Sequence, residues 1–184
     1  MKNVLSAALV CACFSLFSTG CTVAPPKNPD VPADLKVEAN ESLVFTAFAE
    51  GVQIYSCDSI APNQYQWKLN RPEATLSDEK GNKIGTHGKG PFWESNMSAT
   101  DKGSKVIGDK ATLKDYPSPD TTAIPWVKLK SKEHTGEGIF GKISTIQRVK
   151  TEGGKAPKTI FDKTYAGKEL RVPYKATYYF YTKF

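Results

Sequence analysis

The apolar side chains of this chain recur at every second position, and this spacing constrains its fold more than any other feature of the sequence. The segment from Leu170 to Phe184 places one set of side chains on a single strand face: Leu170, Val172, Tyr174, Ala176, Tyr178 and Phe180. No window of about 11 to 18 residues repeats apolar side chains with the spacing of an amphipathic helix. The pattern therefore predicts a domain built from strands.

Short turn sequences separate the predicted strands. Glu50-Gly51 lies between two apolar runs, 42–49 and 52–57, and is interpreted as the turn of a β-hairpin. Residues 79–82 (EKGN) mark a second hairpin. Together these signals predict an all-β fold, an antiparallel β-sandwich or barrel-like domain of roughly nine or ten short strands with little helix.

The second half of the chain contains further strand signals. Residues 124–131 are interpreted as a strand that carries Trp126. The segment 139–150 alternates, which predicts a strand with Ile143 and Val149 on one side and Arg148 on the other. Residues 95–118 contain few apolar side chains and are interpreted as a loop with one short strand near 105–107.

A formal GxGxxG pattern occupies residues 135–141 (TGEGIFG). A dinucleotide-binding loop of this type must follow a strand and open a helix, so that the helix N-terminus meets the pyrophosphate. Here strand periodicity follows the pattern instead. The segment is therefore interpreted as a glycine-rich hairpin turn and not as a phosphate-binding loop.

Residues 1–20 are predicted to be an export signal. Lys2 precedes an apolar run from Val4 to Phe17, which is shorter than the roughly 20 residues that a membrane-spanning helix requires. Ser18-Thr19-Gly20-Cys21 resembles a bacterial lipobox, in which the cysteine becomes the acylated N-terminus. An ordinary signal-peptidase site accepts the same small residues. Cys21 is therefore either the lipid attachment site or only the residue at the cleavage site.

The rest of the chain divides into a spacer and one domain. Residues 21–34 are rich in proline and predict a semi-rigid spacer after the lipidated cysteine, and residues 35–184 have the size of a single all-β domain. By resemblance to Gram-negative sorting, Thr22 in the place of Asp favours the outer membrane. We expect a cell-envelope protein that is lipid-anchored, in the outer membrane, and faces the periplasm.

The charge of the chain, formally +6, limits its partners. Lys128, Lys130 and Lys132 recur at every second position and are interpreted as solvent-facing lysines that prevent edge pairing of strands. Attraction to anionic lipid headgroups is the alternative. Nucleic acid is not expected as a partner of an exported protein. The expected partners are the membrane, through the lipid anchor, and an unknown small molecule or envelope protein.

The sequence contains no GxSxG, HExxH, CxxC or Walker motif, and no cofactor is expected. His87 and His134 are the two histidines, and a zinc site would need them to meet Glu94 from distant strands, so no metal is predicted. Cys57 is the cysteine left after signal removal and acylation of Cys21, and we expect it to be a small buried apolar side chain.

Several segments recur in an order that resembles a known family. The most specific are H-x-x-GPxWE, which begins at His87, and IQRVxTxGGxAP, which begins at Ile146. With the segments IPWVKLK and ELRVPYKATYYFY they are similar to the domain of unknown function 3455 family, whose members are exported proteins or lipoproteins in bacteria and secreted proteins in fungi. The likeness runs from about Val31 to the C-terminus and implies export and a single fold unit. No activity is established for the family.

The matched motifs supply the candidate binding surface: His87, Trp93, Glu94, Gln147 and Arg148. Arg148 could clamp an anionic group bidentately, Trp93 could stack on a ring, and His87 with Glu94 could orient a hydroxyl. The structural alternative is that Arg148 and Glu94 pair across strands while Trp93 caps the core.

These observations support three hypotheses. The leading one is a lipid-anchored envelope domain that binds a ligand or partner and has no catalytic residues. The alternative is an envelope hydrolase that uses His87 and Glu94 as an acid/base pair, which requires the two side chains within hydrogen-bond reach. The third is a scaffold whose exposed Tyr179 and Tyr181 contact another envelope protein.

Overall fold

The computed structural model describes residues 27–98 and 100–184, and this part of the chain forms nine strands. They are β1 (Glu41–Ala61), β2 (Gln64–Ser77), β3 (Lys83–Gly88), β4 (Phe92–Ser95), β5 (Ser104–Gly108), β6 (Lys114–Tyr116), β7 (Trp126–Gly136), β8 (Thr145–Gly153) and β9 (Glu169–Lys183). Short 3₁₀ turns occupy Ala33–Leu35, Lys110–Thr112 and Lys163–Tyr165. The predicted export signal, Cys21 and the first part of the spacer lie outside the described residues. Within 27–98 and 100–184, no helix has the length and apolar character needed to cross a membrane.

The strands form one closed antiparallel sheet. Strands that follow one another in sequence pair with each other, except β5 and β6, and β9 returns to pair with β1 over most of their lengths. β5 pairs with residues 131–136 of β7, whereas β6 pairs with residues 126–128 of the same strand, so β5 and β6 lie in one line along β7. All strands except β6 therefore form a ring, and the predicted all-β barrel-like fold is confirmed.

The inside of the ring is filled mainly by aromatic and branched side chains. Phe45 stacks on Phe180 with ring centroids 4.6 Å apart, and Phe140 packs on Phe180 at 5.0 Å. Phe140 comes from the turn between β7 and β8 and is fully buried at that end of the ring. An eight-stranded ring of this kind is just wide enough to be filled by side chains or to hold one small ligand. The packing of Phe140 closes one end of the interior.

A second cluster lies on the outside of β8 and β9: Val31, Leu35, Val149, Tyr179 and Tyr181. Residues 31–40, here called the N-terminal strap, cover this face. Gln147 donates its side-chain amide to the Leu35 carbonyl, and Lys128 donates to the Lys36 carbonyl at 2.6 Å. The strap removes the apolar outer face of β8 and β9 from water.

The strap corrects two predictions. Tyr179 and Tyr181 are only 7% and 0% exposed, so the hypothesis of exposed tyrosines that contact a partner is wrong. Lys128 and Lys130 hold the strap instead of facing solvent, because the strap crosses the outer face on which their alternation places them. Lys132, beyond the strap, is exposed as predicted.

The predicted hairpin turn at Glu50-Gly51 is wrong. β1 continues through both residues from Glu41 to Ala61. A Cβ at position 51 would lie 2.1 Å from the Glu73 carbonyl oxygen of β2. The glycine is present because two backbones approach closely, and not because the chain reverses there.

The predicted strand 139–150 is also partly wrong. β8 begins only at Thr145, and residues 137–141 form the turn that carries Phe140 into the interior. Ile143 packs in the inner core, whereas Val149 packs under the strap, so the two lie on opposite faces. The turn and the strand that follows it together look, in the sequence, like one longer alternating strand.

Other predictions are confirmed. β2 and β3 form the predicted hairpin, where Asp78 accepts hydrogen bonds from the backbone N–H groups of Lys80 and Asn82. The glycine-rich segment is a turn between β7 and β8. β5 contains the short strand expected near 105–107, although β4 and β6 add strands next to it that were not expected. Cys57 is free and buried, and burial raises the pKa of its thiol.

Candidate functional site

The end of the ring opposite Phe140 contains a half-enclosed cavity of about 340 Å³. This volume lies within the range of small-molecule sites, about 300–1,000 Å³. Six side chains from different strands form its inner part: Gln53, His87, Trp93, Val127, Arg148 and Tyr178. The cavity exists only because the ring closes, since these residues come from β1, β3, β4, β7, β8 and β9.

Three rings form one wall of the cavity. His87 and Trp93 are cross-strand partners in the β3–β4 hairpin, and their rings stack with centroids 4.6 Å apart. Tyr178 of β9 packs against both, at 5.2 Å from His87 and 5.5 Å from Trp93. The β3–β4 turn contains a cis peptide bond between Gly90 and Pro91, and both residues border the cavity.

The protonation state of His87 follows from its surroundings. Nδ1 lies 2.7 Å from the Phe92 carbonyl oxygen, which can only accept, so Nδ1 carries the proton and Nε2 is left as an acceptor. Burial, reinforced by the nearby charge of Arg148, lowers the pKa of His87 to about 3, against the effect of the Phe92 hydrogen bond. His87 is therefore neutral over the physiological pH range.

Arg148 is the cation inside the cavity. Its Nε–H and one N–H of Nη2 donate to the Pro125 carbonyl oxygen, at 3.3 and 2.8 Å. Arg148 forms no ion pair with any other residue in the described part of the chain. Its positive charge opposes the effect of burial on the pKa of Tyr178, which burial raises. A positive charge without a counter-ion thus faces the cavity.

Several buried polar atoms around the cavity have no hydrogen-bond partner within the described part of the chain. They are the amide nitrogen of Gln53, the indole nitrogen of Trp93 and the hydroxyl of Tyr178. Buried polar groups are hydrogen-bonded in the great majority of cases, and leaving one unpaired costs about 1–3 kcal/mol. Three such atoms in the lining of one cavity mark a site that a ligand or ordered water would complete.

The rim of the cavity is cationic and apolar. Lys89 and Lys110 are exposed at the rim, and neither forms an ion pair with another described residue. Leu69 and Leu113 lie beside them, 50% and 40% exposed. Arg71 also borders the rim, but Glu73 and Glu169 neutralise it. Leu113 lies at the rim because residues 109–113, which connect β5 to β6, do not pair with β7 as a strand.

The structure separates the five predicted site residues. His87, Trp93 and Arg148 meet at the cavity. Glu94 alternates with Trp93 on β4 and therefore lies on the outer face, where it pairs with Lys105 and is 46% exposed. Gln147 alternates with Arg148 on β8 and is buried under the strap, bonded to Leu35 and Tyr181.

Neither the predicted pairings of Glu94 nor a zinc site of His87, His134 and Glu94 is present. Glu94 pairs with Lys105 and not with Arg148, and it does not share the inner face with His87, so the proposed acid/base pair is absent. His134 lies on β7 with Nε2 against the Ile143 carbonyl. Across 27–98 and 100–184, no three His, Cys, Asp or Glu side chains cluster in a way that could hold a metal ion.

Sequence reasoning missed Gln53 and the role of Tyr178. Gln53 is a polar residue inside the apolar run VQIYSC and is 1% exposed. An amide at that position of a buried strand was the available signal. Tyr178 was correctly grouped with the other apolar side chains on one face of β9, but its neighbours could not be identified before the ring was known to close.

The comparisons with known proteins add one finding. A family model described as protein of unknown function (DUF3455) matches residues 38–182, a range that contains every residue of the inner cavity. No curated protein and no solved structure matches the chain.

Proposed function

The chain belongs to the family of proteins of unknown function DUF3455, and from this premise we propose that it binds one small molecule in the cavity at the end of its closed sheet. The protein would present this site in the cell envelope. The observation that carries the proposal is the group of unpaired buried polar atoms around a half-enclosed, largely apolar cavity. Clefts of this kind, with a few convergent polar groups, are the usual form of ligand sites.

The lining of the cavity favours binding over catalysis. Among the described residues that line it, none is Ser, Thr, Cys, Asp or Glu, so His87 has neither a small hydroxyl or thiol nucleophile nor a carboxylate beside it in the cavity. His87 itself is neutral and fixed by its bond to Phe92. A general base needs a pKa near the working pH and a proton to remove within reach. His87 instead supports Trp93.

Titration with 1-aminoanthracene, a neutral fluorescent aromatic, tests the proposal on the purified chain. We expect saturable binding with one site, which a Leu113→Trp substitution at the rim weakens at least tenfold. Ile160→Trp is the matched control, because Ile160 is 56% exposed and does not line the cavity. Absence of saturable binding, or equal affinity in both variants, would contradict the proposal.

We further propose that Cys21 carries the lipid anchor and that the domain faces the periplasm from the outer membrane. The apolar run 4–17, the lipobox-like Ser18–Cys21 and Thr22 support this proposal. Two or more acyl chains hold a protein stably on a membrane, at about 0.8 kcal/mol per buried methylene. Mass spectrometry of the mature N-terminus should find an acylated Cys21, and Cys21→Ser should release the protein from membranes. An unmodified Cys21 would refute the anchor.

A further inference from the structure

We propose that the ligand of the cavity is a carboxylic acid, bound as a monoanion by the free end of the Arg148 guanidinium, with a compact apolar body beside it. This inference rests on the proposed binding function and names the chemical class that the site selects. It follows from the hydrogen-bond donors, the charge and the lining of the cavity.

The guanidinium of Arg148 has an unused fork. A guanidinium has five N–H groups in a fixed plane. The edge formed by Nε and Nη2 is occupied by the Pro125 carbonyl, which fixes the orientation of the group. No hydrogen bond with normal geometry joins the two N–H groups of Nη1 or the second of Nη2 to a described residue, although the Tyr178 hydroxyl lies beside the guanidinium. Parallel N–H groups on Nη1 and Nη2 match the two oxygens of a carboxylate.

The neighbouring polar atoms are mostly donors. The Trp93 indole nitrogen and the Gln53 amide nitrogen can only donate, and the Tyr178 hydroxyl can do so. The one unpaired acceptor that His87 brings to the cavity wall is Nε2. A carboxylate brings only acceptors to such a set, whereas an amide would also bring N–H donors, and an ammonium group would bring donors alone.

The charges fit a single negative charge. Arg148 is the one cation among the six inner residues, and the described residues that line the cavity include no Asp or Glu to balance it. Lys89 and Lys110 lie at the exposed rim, where they would attract an anion toward the mouth without binding it directly. A dianion would bring a second buried charge that no inner group neutralises.

The remaining surface fits an apolar body. Val127 and Leu129 lie in the cavity wall near Arg148, and Leu69, Leu113 and Pro91 continue the apolar surface to the rim. A planar two-ring acid has a size suited to the cavity of about 340 Å³. The structure thus assigns Arg148 to the carboxylate and the leucines to the body of the ligand.

Calorimetric titration with 2-naphthoate and 2-naphthamide tests the assignment, because the two probes have the same shape and differ in charge. On the unmodified chain at pH 7 we expect 2-naphthoate to bind at least tenfold more tightly. Arg148→Gln should abolish this preference, and Arg148→Lys should restore only part of it, since lysine keeps the charge and loses the fork. Arg171→Gln is the control, because Arg171 lies on the surface and pairs with Glu73.

The outcomes separate the two proposals. Equal affinity for the acid and the amide on the unmodified chain would overturn the carboxylate assignment, and this comparison holds even if an Arg148 variant fails to fold. Binding of 1-aminoanthracene without binding of 2-naphthoate would also overturn it and leave the binding function intact. If none of the three probes binds, both proposals fail.

Discussion

His87 and Arg148 face the same cavity, but one is neutral and the other is charged. His87 is kept neutral by burial, whereas Arg148, whose guanidinium remains charged in proteins, stays partly buried with only the Pro125 carbonyl as a partner. Near one fixed positive charge, a second would be repelled. The neutral imidazole is therefore part of the arrangement that reserves the cavity for one anion.

The lowered pKa of His87 predicts a pH dependence of stability. The folded-state pKa of about 3 lies below the ordinary value of about 6.5, so the unfolded chain binds the proton more readily between these values. The stabilisation is present above pH 6.5 and is lost as the pH falls toward 3, by about 1.4 kcal/mol per pH unit. Chemical denaturation between pH 7 and 4.5 should show this loss.

A His87→Phe variant should lose that part of the pH dependence, although its stability at pH 7 falls because the bond to Phe92 is removed. His134→Phe is the matched control, since it removes the other histidine, which lies on β7 outside the cavity. The carboxylates titrate in the same range in all three proteins, so the difference between variants isolates His87. Parallel curves for all three would refute the interpretation.

At the scale of the element, Gly51 shows how a local sequence signal can mislead. Its close approach to the Glu73 carbonyl predicts that Gly51→Ala destabilises the protein by about 3 kcal/mol, because backbone atoms cannot move aside cheaply. Gly81→Ala is the control: Gly81 has φ +83° but nothing within 4 Å of an added Cβ, so only backbone strain of about 1 kcal/mol is expected. Denaturant unfolding measures both.

Hydrogen exchange gives a second test of β1. Amides near Gly51 should be protected in the native chain, because β1 is paired on both sides there, with β2 and with β9. A turn at Glu50-Gly51 would instead leave these amides exposed to solvent. Rapid exchange at these positions would contradict a continuous β1.

Glu41 ties the N-terminal strap to the sheet. Burial alone would raise the pKa of Glu41, but hydrogen bonds from Thr145 and Ser144, with those from Glu38 and Lys130, hold it below the usual range. Glu41→Gln should cost about 2 kcal/mol at pH 7, since charge-assisted bonds of a buried carboxylate are lost. This contribution requires the ionised carboxylate, so it disappears as the pH falls through the folded-state pKa.

The control for Glu41 is Glu50→Gln, because Glu50 is 76% exposed and faces Lys175 at 3.5 Å. Surface pairs contribute about 0–1 kcal/mol, so thermal unfolding should change little. A loss in Glu41→Gln no greater than in Glu50→Gln would show that the strap is not held by this carboxylate.

The elements that could be predicted from the sequence are those in which strand alternation alone decides which side chains face the core. In β9, alternation alone separated the inner side chains, such as Tyr178, from the outer ones, such as Tyr179. The strap was not predicted, since its contacts depend on long-range bonds from Gln147 and Lys128. The candidate site was only partly predicted. Glu94 was grouped with His87 because both belong to one motif, whereas strand alternation places them on opposite faces of the sheet.

At the scale of the whole molecule, one end of the ring is filled by side chains and the other contains the cavity. Phe140 fills one end, and Phe140→Ala should lower stability by about 3–5 kcal/mol because it leaves a cavity against Phe45 and Phe180. Affinity for 1-aminoanthracene should stay within about twofold among folded molecules, since the ligand site is at the other end. Phe184→Ala, at an 82% exposed position, should change stability by less than about 0.5 kcal/mol. A large loss of probe affinity in folded Phe140→Ala would show that the ends are not independent.

The pairing of β1 with β9 sets the order in which the molecule can be completed. Every other pairing joins strands that are close in sequence, but the 21 residues of β1 keep one open edge until β9 has been synthesised and delivered. Contacts of such long sequence separation slow folding, because the loop entropy is lost before the contacts form. A chain still emerging from the ribosome thus has neither the closed ring nor the cavity, and the proposed binding site is complete only after the last strand has paired.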